Sequence, residues 1–140
     1  MRKSGVLMAV SSLPSQHGIG DLGPEAFSFV DYLRDAKVHI WQILPFNRLG
    51  YGNSPYQTLS SIAGDEIFIS LGFLAEEGYL DPGELSPFNQ EAIAVDYEAV
   101  RRFKAAYFQK AFAHFQKNLL LSLQLLLQLL LLLQYHNFYP

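Results

Sequence analysis

Two short apolar runs, Gly5–Val10 and Val38–Leu44, enclose one stretch of helical spacing, and this order constrains the fold more than any other feature of the chain. An apolar run without polar alternation is what a strand buried on both faces requires. Between the runs, Gly23-Pro24-Glu25 opens a helix, because proline fits the first helical position and glutamate complements the positive end of the helix dipole. Ala26, Phe29, Val30 and Leu33 follow at helical spacing, which predicts a helix to about Lys37, and Pro45 stops the second run. Strand, helix and strand in succession make a βαβ unit, so the strands should be parallel and the fold class α/β.

Further along, Ile67–Leu71 has the composition of a short strand, and Leu71–Gly78 reads as a short helix stopped by Gly78. Asp81-Pro82-Gly83 is a turn. Asp96 can cap a long helix to about Lys117, with Val100, Phe103, Tyr107, Ala111 and Phe115 near one face. After Asn118 the composition changes. The last charged residue is Lys117, and residues 119–133 hold 12 Leu, two Gln and one Ser. Leucine occupies every face of any helix drawn through them, whereas a helix of a soluble domain shows a stripe. The run is shorter than the ~20 residues that span a bilayer. The chain therefore divides into residues 1–118, an ordinary α/β sequence, and 119–140, a Leu/Gln tail of aberrant character. A membrane anchor ranks below both an abnormal junction and an interfacial helix.

Composition narrows the function classes. A formal net charge of −3 gives no reason to expect a nucleic-acid partner. The absence of cysteine excludes thiol chemistry and fits a reducing cytoplasm. Arg2 and Lys3 precede only five apolar residues, too few for the roughly 7–15 of a signal-peptide core, so a first strand is the better reading. His17 and His39 lack partners at metal-ligand spacing, which favours surface or packing roles and no metal.

In a parallel α/β sheet, ligands bind beyond the C-terminal ends of the strands. Two loops leave such ends, Ser11–Gly23 and Phe46–Gly64, and both should lie over one mouth. The second contains GYGNSPYQ. Tyr51 and Tyr56 offer apolar ring faces with polar tips, matching a pyranose with its C–H face and hydroxyl rim. Asn53, Ser54 and Gln57 add short neutral hydrogen-bonding groups. A packed tyrosine-rich turn without ligand fits the same residues. The first loop contains GIGDLG, a GxGxxG-like pattern that raises dinucleotide binding. The long Ser/Pro stretch after Val10 argues against it, since that fingerprint needs a tight turn directly after the strand. Asp21 reads as a turn or cap residue, Trp41 as core, and the neighbouring pairs Asp65-Glu66 and Glu76-Glu77 as solvated charges.

SGVLMAVSSLPSQHGIGDLG, HIWQILP and GYGNSPYQTLSSIAGDEIFISL, in that order and spacing, resemble the opening of the amylomaltases of glycoside hydrolase family 77. The resemblance covers residues 4–81 closely and extends to about Asn118. It implies the first βα units of a (β/α)8 TIM barrel, here incomplete, and transfer of α-1,4-glucan segments between maltooligosaccharides by a retaining double displacement. It implies no cofactor. Tyr56 and Ser54 match family residues that contact sugar near the reacting centre, and Tyr51 one that holds glucan further out. Asn53 stands where many members have Asp. The family's catalytic carboxylates lie on later strands, so none is assigned here and the chain alone is expected to be inactive. The alternative is a non-catalytic remnant that binds glucan weakly, or associates with itself or a membrane through its leucines.

Overall fold

The computed structural model describes residues 2–88 and 94–136, with Tyr51 and residues 127–136 described by backbone alone. Strand β1 (Gly5–Leu7) pairs in parallel with β2 (Ile40–Gln42), in the register Gly5 to Ile40, Val6 to Trp41 and Leu7 to Gln42. Helix α1 (Pro24–Asp35) makes the crossover. The expected βαβ unit is therefore present. Its strands are shorter than the apolar runs, because Val10–Ser12 already turns into a 3-10 helix and the chain beyond Gln42 leaves the ladder. Backbone bonds from Met8 to the Gln42 carbonyl (3.0 Å) and from His39 to the Ser4 carbonyl (3.0 Å) carry the pairing slightly past both strand ends. The Trp41 indole N–H donates to the Met8 carbonyl at 2.9 Å, fixing the ring across the pair.

Capping chemistry sets the helix ends. Gly23 precedes Pro24 at the start of α1, and Lys37, in the left-handed region at φ 57°, turns the chain out of it. The Ser70 hydroxyl accepts from the Phe73 amide at the start of α2 (Leu71–Glu76). The Asp96 carboxylate accepts from the Ala99 amide at 3.0 Å as α3 (Tyr97–His136) begins. Helix α3 runs through Asn118 without a break in its backbone. The strand expected at Ile67–Leu71 is instead a 3-10 turn, Glu66–Phe68. The Asp65 carboxylate accepts from the Ile67 amide at 3.1 Å and closes the turn locally, which an extended strand would not allow.

Two apolar clusters hold these elements. Val10, Leu13, Ile19, Ile67, Phe68 and Val100 join the first loop to the base of α3. Leu71, Leu80 and Ala111 join α2 to the middle of α3. The expected α3 face is correct at Val100 and Ala111, while Phe115 remains 45% exposed beside Tyr79. Leu119, Leu120, Leu121, Leu123, Leu125 and Leu126 are all exposed. Among the described residues, no helix is long and apolar enough to cross a membrane.

The GIGDLG glycines serve packing. A Cβ on Gly20 would stand 2.1 Å from the Val10 carbonyl oxygen and 2.7 Å from Leu13 backbone atoms. Replacing Gly20 with Ala must push the first loop off the 3-10 turn. The expected loss of unfolding free energy is about 1–3 kcal/mol or more, measured by urea denaturation.

Candidate functional site

The two loops meet. Ala9, Val10, Ser11 and Ser12, which follow β1, face Leu44, Pro45 and Phe46, which follow β2. Leu49, Asn53 and Pro55 of the second loop complete a cleft of about 240 Å³, with Phe68 and Tyr97 at its back. This is the mouth expected beyond the strand ends, in its backbone arrangement. The second loop is not structureless: its arms are bridged at Asn47–Gly64 and Leu49–Thr58. Gly50 donates to the Gln57 carbonyl at 2.7 Å, Leu59 to the Arg48 carbonyl at 2.9 Å, and Asp65 to the Phe46 carbonyl at 2.8 Å. At its tip, Tyr51–Asn53 forms a 3-10 turn containing Gly52 at φ 79°, a left-handed geometry in which glycine carries no penalty.

The sequence-predicted sugar contacts are distributed unevenly around this mouth. Ser54 is half-buried, and its hydroxyl faces the Tyr56 amide at 3.4 Å. Tyr56 is 76% exposed and does not line the cleft. Asn53 lines it, with φ 53°. Gln57 is exposed. The Tyr51 side chain lies outside the described residues. Tyr97, at the start of α3, was not singled out from the sequence; its only sequence mark is its place beside the Asp96 cap.

Ion pairs beneath the cleft overturn two expectations. Asp21 is neither a turn nor a cap residue. It is 4% exposed, and its carboxylate accepts from the Lys104 ammonium at 2.8 Å. Lys104 is fully buried and also donates to the carbonyls of Ile67 (2.8 Å) and Ile69 (3.0 Å). Burial lowers the Lys104 pKa, and Asp21 opposes that shift. Asp65 and Glu66 are not a solvated pair. Both meet the Arg101 guanidinium, Asp65 from a fully buried side chain and Glu66 at 3.1 Å. Proximity along the chain suggested divergence, but a guanidinium fork can gather two neighbouring carboxylates. Glu76 and Glu77 are exposed, as expected. His17 stacks on Phe103, a packing role, and burial followed by the nearby Lys104 charge lowers its pKa. Trp41 packs edge-on against Phe29 at the margin of the core. Among the described residues no cluster of His, Asp or Glu could hold a metal ion.

A parallel strand–helix–strand start with two loops joined over the strand ends places the chain in the α/β class that binds ligands at such mouths. The 4-alpha-glucanotransferase family model, glycoside hydrolase family 77, matches residues 8–126, and the chain belongs to that family. A 4-alpha-glucanotransferase of Synechocystis sp. is 45% identical over 126 residues, covering 88% of this chain and 25% of that protein. One from Streptococcus pneumoniae serotype 4 is 43% identical over 116 residues, covering 81% and 23%. The solved amylomaltase from Streptococcus agalactiae in complex with acarbose superposes with a TM-score of 0.76 at 39% identity, covering 84% of this chain and 24% of that one. The chain thus spans about a quarter of the length of the relatives it matches. That neighbour belongs to a TIM-barrel family, and the structure here is a partial α/β unit of that kind.

Asp65 gives the site a pH dependence. Burial alone would raise its pKa, but the Arg101 hydrogen bond, the Ile67 amide and the Arg101 charge outweigh burial and hold it below the ordinary value. Hydrogen bonding to Asp65 raises Arg101 in turn. A carboxyl depressed in the folded state stabilises the fold above its unfolded pKa, and that contribution disappears as pH falls through the folded value. Urea midpoints should therefore fall as pH drops below about 4. Asp65→Asn should lower the midpoint at pH 7 and flatten the acid-side decline.

Proposed function

We propose that this chain supplies part of the glucan-binding mouth of a 4-alpha-glucanotransferase. The observation that carries the reading is the cleft in which Ser11 and Ser12 from the first loop meet Asn53 and Pro55 of GYGNSPYQ. Family membership supports the substrate class, and the acarbose complex of the S. agalactiae amylomaltase supports an oligosaccharide ligand. Tyr51, Ser54 and Tyr56 bind the α-1,4-glucan. The exposed Tyr56 ring suits a sugar face arriving from solvent, and the Ser54 hydroxyl suits a sugar hydroxyl.

The reaction is a retaining transfer. A carboxylate attacks the anomeric carbon while a carboxylic acid protonates the leaving oxygen. An acceptor hydroxyl then displaces the enzyme, returning its proton to the same acid/base group. Those carboxyl groups belong to other parts of the family fold. The two buried carboxylates among the described residues, Asp21 and Asp65, are engaged by Lys104 and Arg101. No cofactor enters this chemistry, and cytoplasmic glucan metabolism is its setting. Residues 1–118 form the main body of the family unit, whose match runs on to residue 126, and 119–140 the aberrant tail.

Purified 140-residue protein incubated with maltotriose should release no glucose and form no longer dextrins; either product would sink the assignment of chemistry elsewhere. Maltoheptaose binding, followed by calorimetry, should weaken about 2- to 10-fold in Tyr56→Ala, the range of one aromatic contact. Unchanged affinity would remove Tyr56 from the site.

The exposed leucines of α3 favour a second reading, a non-catalytic product that associates with itself or with lipid through residues 119–126. Flotation of the chain with neutral phosphatidylcholine vesicles, abolished by deleting residues 119–140, would support lipid association. Concentration-dependent sedimentation without flotation would point to self-association.

A further inference from the structure

Helix α3 sends two cations from adjacent turns to the two loops of the mouth. Arg101 and Lys104 are three residues apart and so share a face. Arg101 takes Asp65 and Glu66, where the second loop closes: the Asp65 amide bonds the Phe46 carbonyl at 2.8 Å, joining the loop's two ends. Lys104 takes Asp21, near the end of the first loop, and the Ile67 and Ile69 carbonyls just past the second. An ammonium has three donors, and all three are used in a site with no exposed surface. Beside it the Leu22 amide bonds the Phe68 carbonyl at 3.0 Å, so the end of the first loop is seated on the 67–69 segment. Gly23 permits this approach, since a Cβ there would lie 2.7 Å from both the Asp21 carboxylate and the Ser70 hydroxyl.

We infer that Lys104 is a positioning residue: through Asp21 it sets the separation of the two loops, and hence the width of the cleft between Ser12 and Asn53. A residue that only stabilised the core would have no need to tie the end of the first loop to the segment that follows the second. Lys104 joins points 83 and 37 residues away in sequence, one at the end of the first loop and one just past the second. Arg101 fixes the second loop to the same rigid helix, so α3 provides the common reference from which both loops are held. The consequence for ligand binding rests on the glucan reading above. The geometric claim does not.

The test exploits the absence of cysteine from the chain. Gln16→Cys and Gln57→Cys, both at exposed positions, carry nitroxide labels on the two loops of the full 140-residue protein. The distance distribution between them is read by pulsed dipolar spectroscopy. Asp21→Asn/Lys104→Met removes both charges together, so no uncompensated ion is left buried. The expected result is a distribution roughly doubled in width, with the far-UV helix signal retained, as for a segment released from its local restraints. A distribution of parental width, even with a lower urea midpoint, would show a purely stabilising role and overturn the inference. If the double variant does not fold, Asp21→Glu alone decides. It keeps the Lys104 charge matched while lengthening the link by one methylene, so the mean distance should shift or the distribution broaden; a parental mean and width would overturn the inference there as well. The maltoheptaose affinity of the broadened variant should be about tenfold weaker, since binding groups must be held within about half an ångström. Broadening with unchanged affinity would also refute the positioning role. Failure of the parent to bind maltoheptaose would strike the glucan reading alone, because the distances are measured without sugar.

Discussion

The arrangement of this structure depends on one buried ammonium. Lys104 sits beneath the cleft with no exposed surface, and a charge so placed is tolerable only when its donors are fully used and its charge is matched. Asp21 matches the charge, and two main-chain carbonyls take the remaining donors. Removing one partner of such a pair typically costs about 3–5 kcal/mol, because the other is left stranded. The geometry around the pair is correspondingly tight. Gly20 and Gly23 admit the first loop, the 3-10 turn at Glu66–Phe68 presents its carbonyls, and Val100, one turn earlier on α3, is fully buried beside them.

This packing also explains GIGDLG. The spacing looked like a phosphate-binding fingerprint, but its glycines open towards protein rather than towards a ligand. Around Gly20 the space is filled by Val10 and Leu13 backbone, and around Gly18 by the rings and methyls of Phe88 and Val100. The aspartate within the motif is turned inward to a lysine. The same residue types that cradle a pyrophosphate here cradle a neighbouring loop, and a short pattern alone does not distinguish the two.

What the sequence made legible was local. The βαβ order, the Pro24 start of α1, the Asp96 cap and the GYGNSPYQ turn each depend on residues within a few positions of one another, and each appears in the structure. The meeting of the two loops followed from general behaviour of parallel sheets. What escaped was set by distance along the chain. Asp21 and Lys104 are 83 residues apart, and Asp65 and Arg101 are 36 apart. Nothing near Asp21 marks it as half of a pair, so it read as a turn residue. Asp65 read as solvated for the same reason, and the apolar character of Ile67–Leu71 suggested a strand because its burial could be inferred but its partners could not. The lining residue Tyr97 lay on a helix whose docking site was invisible from its own sequence.

The separation between Asp21 and Lys104 has a kinetic meaning. A contact that closes a long stretch of chain forms only after nearer contacts have shortened the search, because loop-closure entropy must be met before the contact contributes. β1, α1 and β2 can assemble from the first 42 residues, but the mouth above them has no fixed shape until α3 arrives. During synthesis, therefore, the cleft takes its shape only once α3 has emerged: both of its loops have left the ribosome well before the helix that holds them in place.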